Sequence, residues 1–325
     1  MNNNQEKIKN IVVTGPTATG KTHLAVKIAS EFTGEIVSID SRQVYKGMDI
    51  GTGKDLLEYR VNGQDIPYHL IDIVEPQEIY NLSEFRNDAA LCLKDIIERG
   101  NMPVLSGGTP LYLDSIISNY KMNGAAPDME LRKLLKDLDI DQLLEKLKKV
   151  LPKAYEELKE GNNRNRIIRY LEKVECKQAG KDVFEIPNNM QWLILGVYFH
   201  RKKVHQRIEK RLDERLKTGM IEEVEILHKN GISWERLEFF GLEYKYVAFY
   251  LQGKLSLDEM RNELLIKIRQ FAKRQDIWFR KMEREGKQIY WIREGDFDEA
   301  SDLISRFLDN KFLKEPKIRL ADIKY

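Results

Sequence analysis

The amino-acid sequence predicts an α/β protein in which a parallel sheet is flanked by helices. Four short apolar runs have the length and composition of buried strands, at residues 10–14, 36–40, 102–106 and 193–198. The first three alternate with stretches of helical periodicity, which is the order that βαβ units require. With 325 residues, of which 42% are hydrophobic, the chain can bury the core of one large domain or two smaller ones.

Helical patterns fill the gaps between these strands. Over residues 24–32 the apolar side chains share one helix face, and Gly34 is the predicted stop of that helix. A second helix is predicted over residues 82–99. Asn81 is suited to cap its first turn, and Glu84, three residues later, completes the pattern of a capping box.

Residues 120–189 differ in character from the chain on either side. They are highly charged and poor in strand-like runs, and leucines recur there at helical spacing, at Leu131, Leu134, Leu135, Leu138, Leu143, Leu144 and Leu147. The strand pattern resumes at Leu193, and long charged helices are predicted over most of the remaining chain. We therefore expect a core formed by residues 1–119 and 190–325, and a helical insertion domain over residues 120–189.

Composition and charge argue against a metal site formed by cysteines and against a membrane protein, and they leave nucleic-acid binding open. Cys92 and Cys176 lie far apart and lack metal-ligand spacing, which favours ordinary packing in a reducing cytoplasm. No apolar stretch approaches a membrane span, so we expect no membrane partner. The net charge of +2 does not by itself indicate nucleic-acid binding. Basic residues do cluster at 164–169, 201–215 and 261–284, although such clusters are usually solvated helix faces.

The strongest local motif follows the first predicted strand and opens a helix. It has the form G-x-x-x-x-G-K-[ST] and consists of Gly15, Pro16, Thr17, Ala18, Thr19, Gly20, Lys21 and Thr22. In such a loop the backbone N–H groups and the helix N-terminus bind phosphate oxygens. Lys21 would contact the terminal phosphate, and the Thr22 hydroxyl would be a ligand of Mg²⁺. The motif predicts a P-loop NTPase-like fold and a di- or triphosphate ligand, which an ATP-dependent kinase and an enzyme that expels pyrophosphate would both bind.

An acidic residue, Asp40, ends the second predicted strand. Because ligands bind at the carboxyl ends of parallel strands, Asp40 should lie near the motif at residues 15–22, which we call the phosphate loop. A carboxylate there can bind Mg²⁺, orient an acceptor or accept its proton. Its alternative role is to cap a turn.

An ordered set of further motifs resembles the tRNA dimethylallyltransferase family over roughly residues 8–280. These enzymes alkylate N6 of the adenine just 3′ of the anticodon. Besides the phosphate loop, the resemblance lies in residues 40–45, 48–52, 69–72, 107–109, 166–172, 201–209 and 269–278.

The resemblance implies transfer of a dimethylallyl group from dimethylallyl diphosphate to adenine 37 of tRNA, with release of pyrophosphate. It makes Asp40 the general base, and it places Thr22, with Mg²⁺, and Arg201 and Arg207 at the pyrophosphate. Side chains six residues apart on one helix point about 240° apart. Arg201 and Arg207 can therefore act together only if Arg201 lies at the strand end or the helix start and Arg207 lies within the helix.

The resemblance also implies a tRNA interface that binds the anticodon stem-loop. Its expected residues are Asp40, Ser41, Arg42, Gln43, Thr109, Arg132, Asn165, Arg166, Ile167, Ile168, Arg169, Lys273, Arg274, Gln275 and Trp278. Trp278 would stack on a base, whereas a tryptophan in a helix more often packs in a core. We expect a monomeric, cytoplasmic enzyme.

The chain departs from the family pattern at four positions. Gly53 stands where alanine is usual, Asn163 replaces aspartate, and Asn165 replaces glutamine. Glu243 stands where glycine commonly precedes the tyrosine at position 244.

Three other functions remain open from the residues. A small-molecule or nucleotide kinase would share the phosphate loop but not residues 40–45. A non-catalytic RNA-binding relative would not need Lys21, Thr22 and Asp40 intact. An enzyme that prenylates free adenine nucleotides would not need the long C-terminal helices.

Overall fold

The computed structural model describes residues 7–120, 128–161, 163–175 and 185–323. The chain divides into two compact units, one formed by Met1–Asn119 with Glu185–Tyr325 and the other by Tyr120–Phe184. The first unit carries the main sheet, and the described part of the second is helical. Cys176 lies outside the described residues.

The main sheet has six strands, and each of its pairings is parallel. The described strands are β1 (Ile8–Thr14), β2 (Gly34–Ser38), β3 (Arg60–Val61), β4 (Gln64–Asp65), β5 (Tyr68–His69), β6 (Met102–Ser106), β7 (Met190–Tyr198) and β8 (Ile289–Arg293). The order across the sheet is β5-β2-β6-β1-β7-β8, while β3 and β4 form a separate antiparallel pair. The predicted α/β class is confirmed, and strands overlap all four predicted runs.

Helices surround the sheet and build the second unit. The described helices are α1 (Lys21–Glu31), α2 (Leu82–Glu98), α3 (Pro110–Ile117), α4 (Met129–Leu134), α5 (Ile140–Val150), α6 (Pro152–Leu158), α7 (Arg164–Glu175), α8 (Arg201–Lys217), α9 (Met220–Lys229), α10 (Trp234–Phe239), α11 (Leu242–Leu251), α12 (Leu257–Arg284) and α13 (Phe297–Leu308). A short 3₁₀ turn spans Leu56–Tyr59. Within the described residues, no helix combines the length and the apolar character that crossing a membrane requires.

The central strands are buried on both faces, which explains their continuous apolar runs. Ile11 and Val13 of β1 pack into one core cluster, and Val12 between them packs into the other. The alternation is repeated in β6, where Val104 and Leu105 belong to opposite clusters. These two clusters hold the strand ends, and therefore the loops after them, in fixed positions.

The start of α2 confirms the capping pattern, whereas the end of α1 does not follow the prediction. Asn81 Oδ1 accepts hydrogen bonds from the backbone of Ser83 and Glu84, and the Glu84 carboxylate accepts one from Asn81 N. The predicted stop, Gly34, is instead the first residue of β2. A Cβ on Gly34 would lie 2.9 Å from Val104 Cγ2, so close strand packing is what requires glycine.

The second unit has its own small core. Leu131, Leu135, Leu143, Leu144 and Leu147 are buried there, as the helical spacing predicts. Leu134 lies in α4 as the helical spacing predicts, but the residue is 77% exposed. Because α4 is a single short helix, only the face shared by Leu131 and Leu135 reaches the core.

Candidate active site

The phosphate loop joins β1 to α1 and is held in a shape that its sequence requires. Gly15 has a φ of 145°, and a Cβ there would lie 2.5 Å from Val197 O, so no side chain fits. Gly20 and Ala18 also have positive φ values, of 80° and 64°. The Thr19 hydroxyl closes the turn by donating to the carbonyl of the second loop residue at 2.9 Å. Such successive turns orient backbone N–H groups towards an anion.

A cavity of about 890 Å³ lies in front of this loop. Its walls come from the phosphate loop after β1, from residues 40–43 after β2 and from residues 106–109 after β6. Residues of α8 and α12, together with residues within 51–59 and 240–244, complete the enclosure. The cavity therefore lies at the carboxyl ends of three parallel strands, where open α/β sheets bind their ligands.

Lys21 lines the cavity with an unusually acidic ammonium group. Desolvation, together with the nearby Arg211 guanidinium, lowers its pKa to about 8, while Asp40 acts in the opposite direction. Within the described residues no carboxylate forms an ion pair with Lys21. An anionic ligand would raise this pKa and so stabilise the ammonium form.

One face of α8 carries three arginines into the cavity, at four-residue intervals. Arg207 Nε donates to Ala18 O at 2.6 Å, and Arg211 Nη2 donates to the Thr17 hydroxyl at 2.6 Å. Burial lowers the pKa of Arg211 to about 9, and Arg215 contributes to this shift. The sequence analysis named Arg207 but missed the other two, which the i, i+4, i+8 spacing would have indicated.

Arg201 lies at the exposed N-terminal end of α8 and does not line this cavity. It borders a second cavity of about 240 Å³, together with Lys273. The structure thus brings Arg207, but not Arg201, to the phosphate loop. Arg201 does lie at the helix start, one of the two positions that the spacing argument allows.

Residues 40–43 form a turn whose side chains are fixed in the cavity wall. Asp40 Oδ1 accepts a hydrogen bond from Arg42 N at 2.9 Å, and the Thr109 hydroxyl accepts one from Ser41 N at 3.1 Å. The Gln43 side chain is held at both ends. Its Nε2 donates to a backbone carbonyl at 3.0 Å, and its Oε1 accepts from a serine hydroxyl at 2.9 Å.

Gln275 of α12 joins the two loops that flank the cavity. Its Oε1 accepts from Thr17 N at 2.9 Å, and its Nε2 donates to Gly108 O at 2.6 Å. The residue is only 3% exposed. Of its neighbours named as tRNA contacts, Lys273 and Arg274 are exposed, and Trp278 is half-buried against a core cluster.

In the second unit some of the residues expected to contact tRNA are exposed and others are buried. Asn165 and Arg166 are exposed on α7, whereas the side chains of Ile167 and Ile168 are buried in the core of that unit. Arg132 and Arg169 both form ion pairs with Glu172, whose side chain is fully buried.

Thr22 and the cavity in front of it suit a magnesium ion that arrives with a phosphate ligand. The Thr22 side chain lines the cavity beside Lys21 and offers a hydroxyl oxygen, the type of ligand that Mg²⁺ prefers. No group of three or more His, Cys, Asp or Glu side chains suited to a metal occurs in the described part of the chain. Most ligands of such an ion would therefore be substrate oxygens and water.

The fold and the cavity define an α/β protein in which a glycine-rich loop between a strand and a helix, a row of arginines and a carboxylate line one cavity. The family model described as IPP transferase matches residues 43–282, and the one described as isopentenyl transferase matches residues 8–64. The chain therefore belongs to the tRNA dimethylallyltransferase family.

Individual relatives agree with this assignment. The chain is 46% identical over 290 residues to tRNA dimethylallyltransferase 1 of Syntrophus aciditrophicus, covering 89% of this chain and 94% of the relative. It is also 46% identical over 292 residues to tRNA dimethylallyltransferase 2 of Treponema denticola, covering 88% and 96%.

Solved structures show the same architecture. The full-length tRNA isopentenylpyrophosphate transferase of Bacillus halodurans is 32% identical, with a TM-score of 0.66 over 94% of this chain and 96% of that one. A eukaryotic dimethylallyltransferase acting on tRNA shares the fold at 23% identity, with a TM-score of 0.79 over 97% and 83% of the two chains.

Proposed function

We propose that this protein transfers the dimethylallyl group of dimethylallyl diphosphate to N6 of adenine 37 in tRNA and releases pyrophosphate. One observation carries the proposal. A phosphate-binding loop and the Asp40 carboxylate face the same cavity, so an anionic leaving group and a proton-bearing acceptor can be bound together.

The leaving group is stabilised by positive charge from two sides. Loop amides and Lys21 act from the sheet side, and Arg207 and Arg211 act from α8. As the allylic carbon–oxygen bond breaks, negative charge grows on the diphosphate. Donors already fixed in position stabilise that charge without reorganisation. Mg²⁺ bound through Thr22 would neutralise further charge on the phosphate oxygens.

Asp40 would bind the acceptor amine and accept its proton. Its Oδ1 is oriented by Arg42 N, and the carboxylate faces the cavity. The free N6 amine of adenine is barely basic and holds its protons, and it becomes acidic only as it bonds to the allylic carbon and gains positive charge. Its proton therefore leaves with or after carbon–nitrogen bond formation. A carboxylate within hydrogen-bond reach is an adequate base for that step. The target base must first leave the stacked anticodon loop.

Recognition of tRNA uses the polar residues around the cavity and the exposed basic side chains. Ser41, Arg42, Gln43 and Thr109 would contact the target and its neighbours. The side chains assigned to tRNA phosphates and bases are the exposed Arg132, Asn165, Arg166, Lys273 and Arg274 and the half-buried Arg169. Phosphate contacts of this kind weaken as salt is raised. We further propose that the protein acts in the cytoplasm and as a monomer.

The test supplies purified protein with Mg²⁺, dimethylallyl diphosphate and unmodified tRNA that has adenines at positions 36 and 37. The tRNA is digested, and its nucleosides are analysed by mass spectrometry. We expect isopentenyl-adenosine, and none when the diphosphate is omitted. Consumption of ATP with phosphorylation of a small acceptor, and no modified nucleoside, would instead identify a kinase.

A further inference from the structure

Gly53 and Glu243 meet at one side chain, that of Arg215. A Cβ on Gly53 would lie 1.8 Å from Nη2 of Arg215, so an alanine at this position cannot coexist with this arginine conformation. Glu243 places Oε1 3.8 Å from Arg215 Nη1. The missing side chain at Gly53 makes room for the guanidinium, and Glu243 supplies it with a carboxylate.

Arg215 lies in the cavity wall and is largely buried. Its side chain is 10% exposed, and that of Glu243 is 20% exposed. Arg215 Nη1 also donates to Gly51 O at 3.4 Å. The guanidinium therefore packs on the 51–53 turn at two points, the Gly51 carbonyl and the open face of Gly53.

The residues that lead into this turn, 49–51, are fixed by a different side chain. The Glu223 carboxylate accepts hydrogen bonds from three successive amides, at Asp49 N (2.8 Å), Ile50 N (2.7 Å) and Gly51 N (3.0 Å). Glu223 thus anchors the turn up to Gly51. Arg215 contacts it from Gly51 to Gly53.

Gly53 connects this turn to the acceptor side of the cavity. Its carbonyl accepts the hydrogen bond from Gln43 Nε2 at 3.0 Å, while Gln43 Oε1 accepts from Ser38. A change in the position of Gly53 would therefore free one end of the Gln43 amide. An amide held at both ends presents its remaining donor and acceptor atoms in one orientation, which is what discrimination between base edges requires.

We propose that Arg215 is a positioning residue for recognition of the tRNA acceptor. Admitted by Gly53 and paired with Glu243, it fixes the 51–53 turn and so orients Gln43 beside Asp40. This inference rests on the proposed function. The main competing role is direct binding of the diphosphate, because Arg215 continues the row of Arg207 and Arg211.

The first experiment measures KM for tRNA and for dimethylallyl diphosphate in Arg215→Met. Lys217→Met is the control, since it removes a positive charge from an exposed position of the same helix. We expect the KM for tRNA to rise about tenfold, as for one misplaced hydrogen bond, while the donor KM stays within about twofold. A tenfold rise in donor KM with normal tRNA KM would overturn the proposal in favour of direct diphosphate binding. Unchanged values for both substrates would overturn it as well.

A second experiment tests the path through Gln43. In a Gln43→Ala background, Arg215→Met should change the KM for tRNA by less than about twofold, because the oriented amide is already absent. An undiminished tenfold effect would show that Arg215 acts elsewhere.

The third experiment tests the fit between Gly53 and Arg215. Gly53→Ala should raise the KM for tRNA more than Arg215→Met does, because the clash with the guanidinium displaces the turn itself. Adding Arg215→Met should recover part of that loss, towards the value of Arg215→Met alone, because the clash disappears. Recovery is partial, since the φ of 66° at Gly53 still strains alanine. No recovery would contradict the coupling, and thermal melting of each variant identifies any that fail to fold. Absence of isopentenyl-adenosine with the unmodified protein would refute the proposed function rather than this inference.

Discussion

Replacing Gln275 with leucine should weaken the prenyl-donor site more than the tRNA interface. The family resemblance makes this residue a tRNA contact, but its amide is buried between the phosphate loop and the loop after β6. Oε1 accepts from Thr17 N, and Nε2 donates to Gly108 O. Leucine has a similar volume and can make neither hydrogen bond.

The expected loss of stability depends on whether the Gly108 carbonyl and the Thr17 amide can find another hydrogen-bond partner. Gly108 is buried, so its carbonyl would lose a partner without gaining water, at a cost of about 1–3 kcal/mol. Thr17 lines the cavity, where water can reach its amide, so that loss is much smaller. The free energy of unfolding should therefore fall by about 2 kcal/mol.

The assay combines urea denaturation with KM measurements for both substrates. We expect the donor KM to rise about tenfold, because the phosphate loop loses its tie to the neighbouring loop, and the KM for tRNA to change by less than about threefold. Gln270→Leu, at an exposed position of the same helix, is the matched control. Full stability with a selective loss of tRNA affinity would refute this reasoning and support a direct RNA contact.

Three further predictions follow from the charges. Because Lys21 has a pKa of about 8 in the free protein, donor KM should rise as pH increases from 7 to 9; Lys21→Arg, charged throughout, should show a flatter pH profile. Arg211→Met should lower pyrophosphate affinity, measured by product inhibition, by about tenfold; equal inhibition constants would contradict its role. Glu172→Gln should weaken tRNA binding in filter assays, because Arg132 and Arg169 lose the ion pairs that fix their positions. This loss should outweigh the removal of a negative charge, and tighter binding would show that Glu172 acts only through its charge.

The Glu172 prediction depends on a buried ion-pair network. Burial opposes ionisation of Glu172, but hydrogen bonds from Arg132 and Arg169 outweigh it and hold the pKa of the carboxyl below its ordinary value. The carboxylate is therefore charged at neutral pH and fixes both guanidinium groups. Glu145→Gln, at an exposed position of the same unit, is a suitable control.

Local sequence signals predicted the central sheet, the phosphate loop and the cap of α2. Each depends on neighbouring residues, as in the continuous apolar run of β1 or the pairing of Asn81 with Glu84. Strand β8 was missed although its isoleucine, tyrosine and tryptophan residues between Gly286 and Gly295 form a local strand signal, because the charged helical patterns around it dominated the interpretation. Its place at the sheet edge depends on pairing with β7, which is a long-range contact.

In the candidate site, too, features that depend on neighbouring residues were predicted, and contacts between distant parts of the chain were not. The phosphate loop and Asp40 were predicted as neighbours because strand ends meet at one edge of a parallel sheet. Gln275 lies 258 residues from the Thr17 amide that it binds, so only tertiary packing reveals the contact. The position of Gly53 against Arg215 is equally invisible in the sequence.

The most direct test of the account is a single-turnover measurement with Asp40→Ala. The protein is saturated with tRNA and dimethylallyl diphosphate, and isopentenyl-adenosine is quantified over time. The account predicts that tRNA affinity is largely retained, while the rate of modification falls by at least about a hundredfold, because the base is lost. A near-normal rate would contradict the role of Asp40 as the base.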